Sequence, residues 1–210
     1  MFNFVRWATI VDNIDPDGLN RVKVSWAGEE ETVSDWIPVS TSYAGDSIGQ
    51  SFIPNLDDQV LVASLDCYGS KKVVAGSIWS NAAKPPQTKE NLSADLNSDG
   101  KNSLRFLKSR SGNMLIFDDS EGKEKIQIVT ADGATRIEID VAEELLSLDT
   151  ERNVSIDAAG TVSIQAEEVE ISSKNEVNIT ADNYQVEAES GYENNAKDGI
   201  SIEGSGVSLN

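Results

Sequence analysis

Pairs of apolar residues, each split by one polar residue, recur along the second half of the chain. Within residues 153–180 each pair follows the last by seven or eight positions. Because residues i and i+2 of a β-strand point to the same face, each pair predicts one short strand with two apolar side chains turned inward. The clearest pairs are Val154/Ile156, Val162/Ile164, Val169/Ile171 and Val177/Ile179; earlier ones are Ile126/Ile128, Ile137/Ile139 and Leu146/Leu148, and weaker ones are Tyr184/Val186, Ile200/Ile202 and Val207/Leu209.

A helical explanation of this period is disfavoured. A coiled-coil seam needs apolar residues alternately three and four positions apart, whereas these are two apart and rich in β-branched residues. Eight extended residues reach roughly 26 Å, enough for one wall of a prism but not for a circuit around it. Three identical chains that each supply one wall at every level solve this geometry. The sequence therefore predicts an intertwined trimeric β-helix, with a core of Ile137, Ile139, Leu146, Leu148, Val154, Ile156, Val162, Ile164, Val169, Ile171, Val177 and Ile179.

The first 80 residues follow a different pattern. Short alternating runs, "RVKVSW", "VSDWIPVS", "QVLVASL" and "KKVVAGSIW", are separated by turn signals such as "DPDG" and "YGSKK". About five such strands predict a small closed or partly closed β-barrel. A polar stretch with two adjacent prolines follows and is typical of a connector. The expected organisation is all-β, with a barrel at 1–83, a connector at 84–104 and the β-helix at 105–210.

Charge and composition narrow the possible partners. The 210 residues carry 36 acidic and 17 basic side chains, a net charge of −19. Such a surface repels phosphate backbones, so we expect no nucleic-acid partner. There is no apolar run near 18 residues and no leader-like start, so we expect cytoplasmic synthesis and no membrane span. The single cysteine, Cys67, cannot form an internal disulfide.

Candidate chemistry is sparse. The chain has no histidine, which excludes His-dependent nucleophilic catalysis and His-based zinc sites. "NIDPDGLNRVKV" approaches a calcium loop, but Val24 stands where the bidentate glutamate belongs, so a plain turn is favoured. No phosphate-binding loop occurs, and no carboxylate pair stands out among the acids. We therefore predict no catalytic, cofactor-binding or metal-ligating residue, and no enzyme.

Several stretches resemble a known family. "ATIVDNIDPDGLNRVKVSW", "SDWIPVSTSYAG", "SFIPNLDDQVLVASLD" and "KKVVAGSIWSNAAKPP" are similar to the OB-fold domain of contractile-tail central spikes, which include phage baseplate assembly protein V and the spike half of VgrG. "SRSGNMLIFDDSEGKEKIQIVTADG" resembles the segment that enters their trimeric β-helix. The resemblance implies a homotrimeric needle, assembled in the baseplate of a phage tail or injection particle, that pierces a target envelope mechanically.

The resemblance also implies partners. No hub domain precedes residue 1 of this sequence, so a separate hub protein is expected at the N-terminal end. With no histidine to bind iron at the tip, Ile200, Ile202, Val207 and Leu209 are expected to form a platform for a separate tip protein that resembles the PAAR-repeat caps.

Two other functions remain open. An OB-fold could bind an oligonucleotide or oligosaccharide through its four tryptophans, Trp7, Trp26, Trp36 and Trp79. Alternatively, the repeats could belong to a β-solenoid adhesin or a polysaccharide-degrading tail fibre, although eight-residue repeats leave no cleft. The central spike is the favoured interpretation.

Overall fold

The computed structural model describes residues 5–66, 68–88 and 100–205, apart from the side chains of Glu30 and Glu31. All regular structure in these residues is β-strand, so the all-β expectation is confirmed. The chain divides into two compact units, Met1–Ser155 and Ile156–Asn210, and each is described by itself. The domain bounds expected from the sequence stay a prediction.

The first unit begins with a six-stranded antiparallel sheet and a small hairpin. The sheet has the order β3-β2-β1-β7-β8, with β4 also paired to β2. In β2 every second residue is buried, because the alternating run "RVKVSW" turns one face inward. The strands are β1 Val5–Asp12, β2 Arg21–Trp26, β3 Glu29–Val33, β4 Ile37–Pro38, β7 Gln59–Ser64 and β8 Lys72–Ser77; β5 Ala44–Gly45 and β6 Ile48–Gly49 form the hairpin.

Nine buried apolar side chains form the core of this sheet: Ala8, Ile10, Val22, Val24, Trp26, Ile37, Val60, Val62 and Val74. In the described part of the chain the strand order is open, so strand pairing within the sheet does not close the barrel, which was expected to be closed or partly closed. One parallel bridge, between Val39 and Val74, links the segment after β4 to β8. The backbone N–H of Ser40 donates to the carbonyl oxygen of Val74 at 2.9 Å as part of this bridge.

The turn after β1 is organised by Asp15. Its carboxylate accepts hydrogen bonds from the backbone N–H groups of Asp17, Leu19 and Arg21, each at 3.1 Å. The guanidinium of Arg21 donates to the same carboxylate at 2.9 and 2.7 Å. Hydrogen bonding from Arg21, above all, holds the pKa of Asp15 far below its ordinary value. The sequence that approaches a calcium loop therefore forms an ion-paired turn.

A second antiparallel sheet completes the first unit. Its five strands follow one another as a meander in the order β13-β12-β11-β10-β9. They are β9 Leu104–Lys108, β10 Met114–Asp118, β11 Lys125–Val129, β12 Thr135–Asp140 and β13 Leu145–Thr150. Each strand pairs with its neighbour in register, without a bulge.

The second unit is an extended chain with regular bends. Between residues 156 and 205 no strand forms, and every residue is exposed. Bends fall at 159–160, 167, 174–175, 182, 189–190, 197–198 and 204–205, which repeats the period of seven or eight residues in the apolar pairs. Each extended segment thus has the length of one repeat and lacks a strand partner within the described part of its own chain.

Candidate assembly surface

One face of the second sheet carries a continuous row of apolar side chains. Leu107 lies opposite Leu115, and Leu115 lies opposite Ile128. The row continues from Ile128 to Ile137 and from Ile137 to Leu148. Neighbouring strands therefore present five aliphatic side chains side by side, at the spacing at which cross-strand pairs contact each other.

A second row runs parallel to the first. Phe117 lies opposite Ile126, Ile126 opposite Ile139, and Ile139 opposite Leu146. We call the two rows together the apolar face; its nine residues are Leu107, Leu115, Phe117, Ile126, Ile128, Ile137, Ile139, Leu146 and Leu148. Leu115 is half-buried, and the others are 37% to 70% exposed. A contiguous apolar surface of this kind marks a site of association.

The opposite face of the sheet is partly covered. Leu104, Ile116 and Val129 are buried there. Thr88, in the connector, is 5% exposed and borders the same small cavity as Ile116 and Val129. The ammonium of Lys108 also donates to the backbone oxygen of Gln87 at 2.8 Å. The connector therefore packs on this face and leaves the apolar face open.

On the covered face, a cluster of polar residues links β11 and β12. The Lys125 ammonium lies 2.9 Å from Asp140 and 3.3 Å from Glu138, and Arg136 lies 3.4 Å from Glu138. The amide of Gln127, which is buried, donates to Glu138. Hydrogen bonding to Asp140 raises the pKa of Lys125, and the same bond lowers the pKa of Asp140. These contacts set the strand register and thereby direct the apolar residues to the other face.

The apolar pairs that follow β13 are as exposed as the apolar face. In the four clearest pairs the valine is 53% to 57% exposed and the isoleucine 64% to 76%. No backbone–backbone hydrogen bond joins residues within 156–205. Extended backbone needs partners for its N–H and C=O groups, and apolar side chains gain by burial. Within the described residues of this chain, neither need is met by strand pairing or by burial.

The predicted trimer-core residues fall into two groups. Ile137, Ile139, Leu146 and Leu148 lie together on the apolar face. The other eight, Val154, Ile156, Val162, Ile164, Val169, Ile171, Val177 and Ile179, follow along the extended segments. Their role in a trimer stays a prediction. Of the expected tip residues, Ile200 is 50% exposed and Ile202 is 67% exposed, while Val207 and Leu209 lie outside the described residues.

The sequence analysis missed Leu107, Leu115 and Phe117. They belong to "LRFLK" and "MLIFD", in which apolar residues also occupy the covered face. Because both faces of these two strands carry apolar residues, the three missed residues do not belong to apolar pairs separated by a polar residue.

The described residues contain no group of three or more acidic or cysteine side chains arranged to hold a metal ion. They likewise contain no helix that could cross a membrane.

Comparison with known proteins assigns the N-terminal region. Residues 6–79 match the family model of the type VI secretion system/phage-baseplate injector OB domain. No curated protein matches the chain. The matched stretch runs from the second residue of β1 to just beyond the end of β8.

Proposed function

We propose that this chain, whose N-terminal domain belongs to the injector OB family of type VI secretion systems and phage baseplates, is the central spike of a contractile injection machine. The family supports a structural role in a phage tail or injection particle. The finer proposal is a homotrimer that attaches to a hub through its OB domain and pierces the target envelope with its C-terminal half.

The observation that carries the proposal is the run of open apolar residues beyond the OB domain. It starts with the apolar face of the second sheet and continues as the pairs of the extended segments. Complete burial of one such side chain contributes roughly 1.5–3 kcal/mol relative to exposure. Twelve of them in each chain supply a large driving force for association with identical chains.

Three chains account for the repeat length better than one chain coiled on itself. A single chain that coiled on itself would pair its own repeats, yet residues 156–205 show no internal strand pairing. In a trimer the bends become corners, and each extended segment forms one wall of about 26 Å at most. Identical walls then need identical repeats, which agrees with the similarity of the Val/Ile pairs.

The ends of the spike need other proteins. A trimeric prism terminates in open strand edges and an exposed core, which a cap must cover. Ile200 and Ile202, together with Val207 and Leu209 of the sequence, supply apolar groups for a separate tip protein. At the other end a separate hub ring receives the OB domain. Synthesis in the cytoplasm before assembly belongs to the same proposal.

Two solution measurements on the full chain test the trimer. Sedimentation velocity and native mass spectrometry are expected to give an elongated particle of three chains. Hydrogen exchange is expected to show protected amides in residues 156–186, because each wall would be bonded to neighbouring chains. A monomer with protected amides in this range would show that the chain coils on itself and would contradict the proposal.

A further inference from the structure

A cleft lined by cations and tryptophans opens on the OB domain. Its volume is about 700 Å³. It lies beside the end of β3, the segment that leads into β4, and the loop between β7 and β8. The lining residues that matter here are Arg6, Trp26, Trp36, Leu65, Lys71 and Lys72.

The cleft is cationic although the chain as a whole is strongly acidic. Within the described residues, no carboxylate forms an ion pair with Lys71 or Lys72. Arg6 pairs with Glu29 at 3.0 Å, and Asp35 is the acidic residue of the lining. In a chain of net charge −19, two lysines without acidic partners at one cleft leave positive charge available for a ligand.

Each of the two tryptophan rings of the cleft has a cationic side chain over its face. The guanidinium carbon of Arg6 lies 4.6 Å from the ring centroid of Trp26, and the Lys23 ammonium lies 4.7 Å from that of Trp36. Trp26 is buried and Trp36 is half-buried. Leu65 adds an open apolar side chain, 65% exposed. Apolar contact area thus borders the free ammonium groups.

The loop that presents the two lysines is internally braced. The carboxylate of Asp66 accepts hydrogen bonds from the backbone N–H groups of Tyr68, Ser70 and Lys71, at 3.1, 2.9 and 3.0 Å. It also accepts one from the Ser70 hydroxyl. Asp66 is therefore committed to its own loop and does not neutralise Lys71. A braced loop loses little conformational entropy when a ligand binds.

We propose that this cleft binds an acidic, extended peptide segment of a partner protein. Carboxylates of the segment would pair with Lys71 and Lys72, and an apolar side chain would pack on Trp36 and Leu65. This site needs no trimer, and it goes beyond the proposed spike function.

A peptide is favoured over nucleic acid by the global charge. A single-stranded oligonucleotide carries a charge at every nucleotide, so most of its length would face the acidic surface of this chain. A peptide places one or two carboxylates at the lysines and can remain neutral elsewhere. The cleft therefore selects a short patch of negative charge rather than a polyanion.

The test is an array of random short peptides probed with the full chain. Bound peptides are expected to be enriched in Asp and Glu next to a large apolar residue. Fluorescence titration with one such peptide is then expected to perturb Trp36 emission. Lys71→Glu combined with Lys72→Glu is expected to weaken binding about tenfold or more, because both ion pairs become repulsive. Lys123→Glu with Lys174→Glu changes the net charge equally and is expected to leave binding unchanged.

Three outcomes would overturn the proposal. They are an absence of acidic enrichment among bound peptides, equal binding by the two double variants, and tighter binding of a single-stranded oligonucleotide of the same charge. Circular dichroism of each variant before the titration shows whether the OB domain is folded. Trp36→Phe provides a further check, since it keeps an aromatic side chain and removes the fluorescence response.

Discussion

Ile137 and Leu148 face each other across β12 and β13, and both remain exposed, by 40% and 55% respectively. The sheet has already aligned them as a cross-strand pair, yet their neighbours in the apolar face leave much of both side chains open to water. The next pair along the chain, Val154/Ile156, is exposed to a similar or greater extent. Exposed aliphatic side chains thus occur both in a hydrogen-bonded sheet and in an extended segment that has no strand partner among the described residues.

The first prediction concerns the core of the proposed prism. Ile171→Asp is expected to shift the protein from trimer to monomer, because three carboxylates would meet around one axis without partners. Ser172→Asp adds the same charge one residue later, where the side chain turns outward, and is expected to leave the trimer intact. Sedimentation velocity on both variants gives the comparison. If both variants had the same oligomeric state, residues 171 and 172 would not differ in burial.

The second prediction tests the OB core. Ile10 is fully buried, so Ile10→Ala is expected to lower the free energy of unfolding of this domain by about 2–5 kcal/mol. Ile14 lies in the following turn and is 81% exposed, so Ile14→Ala is expected to change it by less than about 0.5 kcal/mol. Urea unfolding followed by tryptophan fluorescence measures both. A large effect of Ile14→Ala would reveal a contact that a single chain does not make.

Much of the fold could be predicted because apolar and polar residues alternate in every strand that has one exposed face. "RVKVSW" gave a strand with Val22, Val24 and Trp26 buried, and "RIEID" gave one with Ile137 and Ile139 on the apolar face. In both cases a polar residue separates the apolar ones. The spacing alone therefore located the strand and its two faces.

The rest depended on contacts that local patterns do not encode. The covered face of the second sheet holds Gln127 and Asp140 among apolar residues, so polarity did not distinguish it from a solvent-exposed face. The cationic cleft unites Arg6, Trp36 and Lys72, which are far apart in the sequence. Only the fold brings these residues together, and each of them alone is an ordinary surface residue.

The third prediction concerns the proposed tip. Deletion of residues 205–210 is expected to leave a soluble trimer that no longer retains a co-expressed PAAR-repeat protein, because part of the apolar platform is lost. Co-purification through an affinity tag on the chain measures retention, with the full-length chain as the control. Retention of the cap by the truncated trimer would contradict the platform. So would stoichiometric iron or zinc at the end of a full-length trimer that has no cap.

The last prediction is a pH dependence. The Asp15 side chain is only 3% exposed, and its contacts with Arg21 lower its pKa on folding below the ordinary value of 3.8. A lowered carboxyl pKa contributes stability that is present above the unfolded-state pKa and is lost as the pH falls toward the folded-state pKa. Asp15→Asn is therefore expected to lower the unfolding midpoint at pH 7, and the gap to the natural chain is expected to narrow below about pH 4. Asp35→Asn, at an exposed position of the same domain, serves as the control. Urea unfolding at a series of pH values measures the gap, and a gap that stays constant from pH 7 to pH 3 would show that charge on Asp15 does not stabilise the turn.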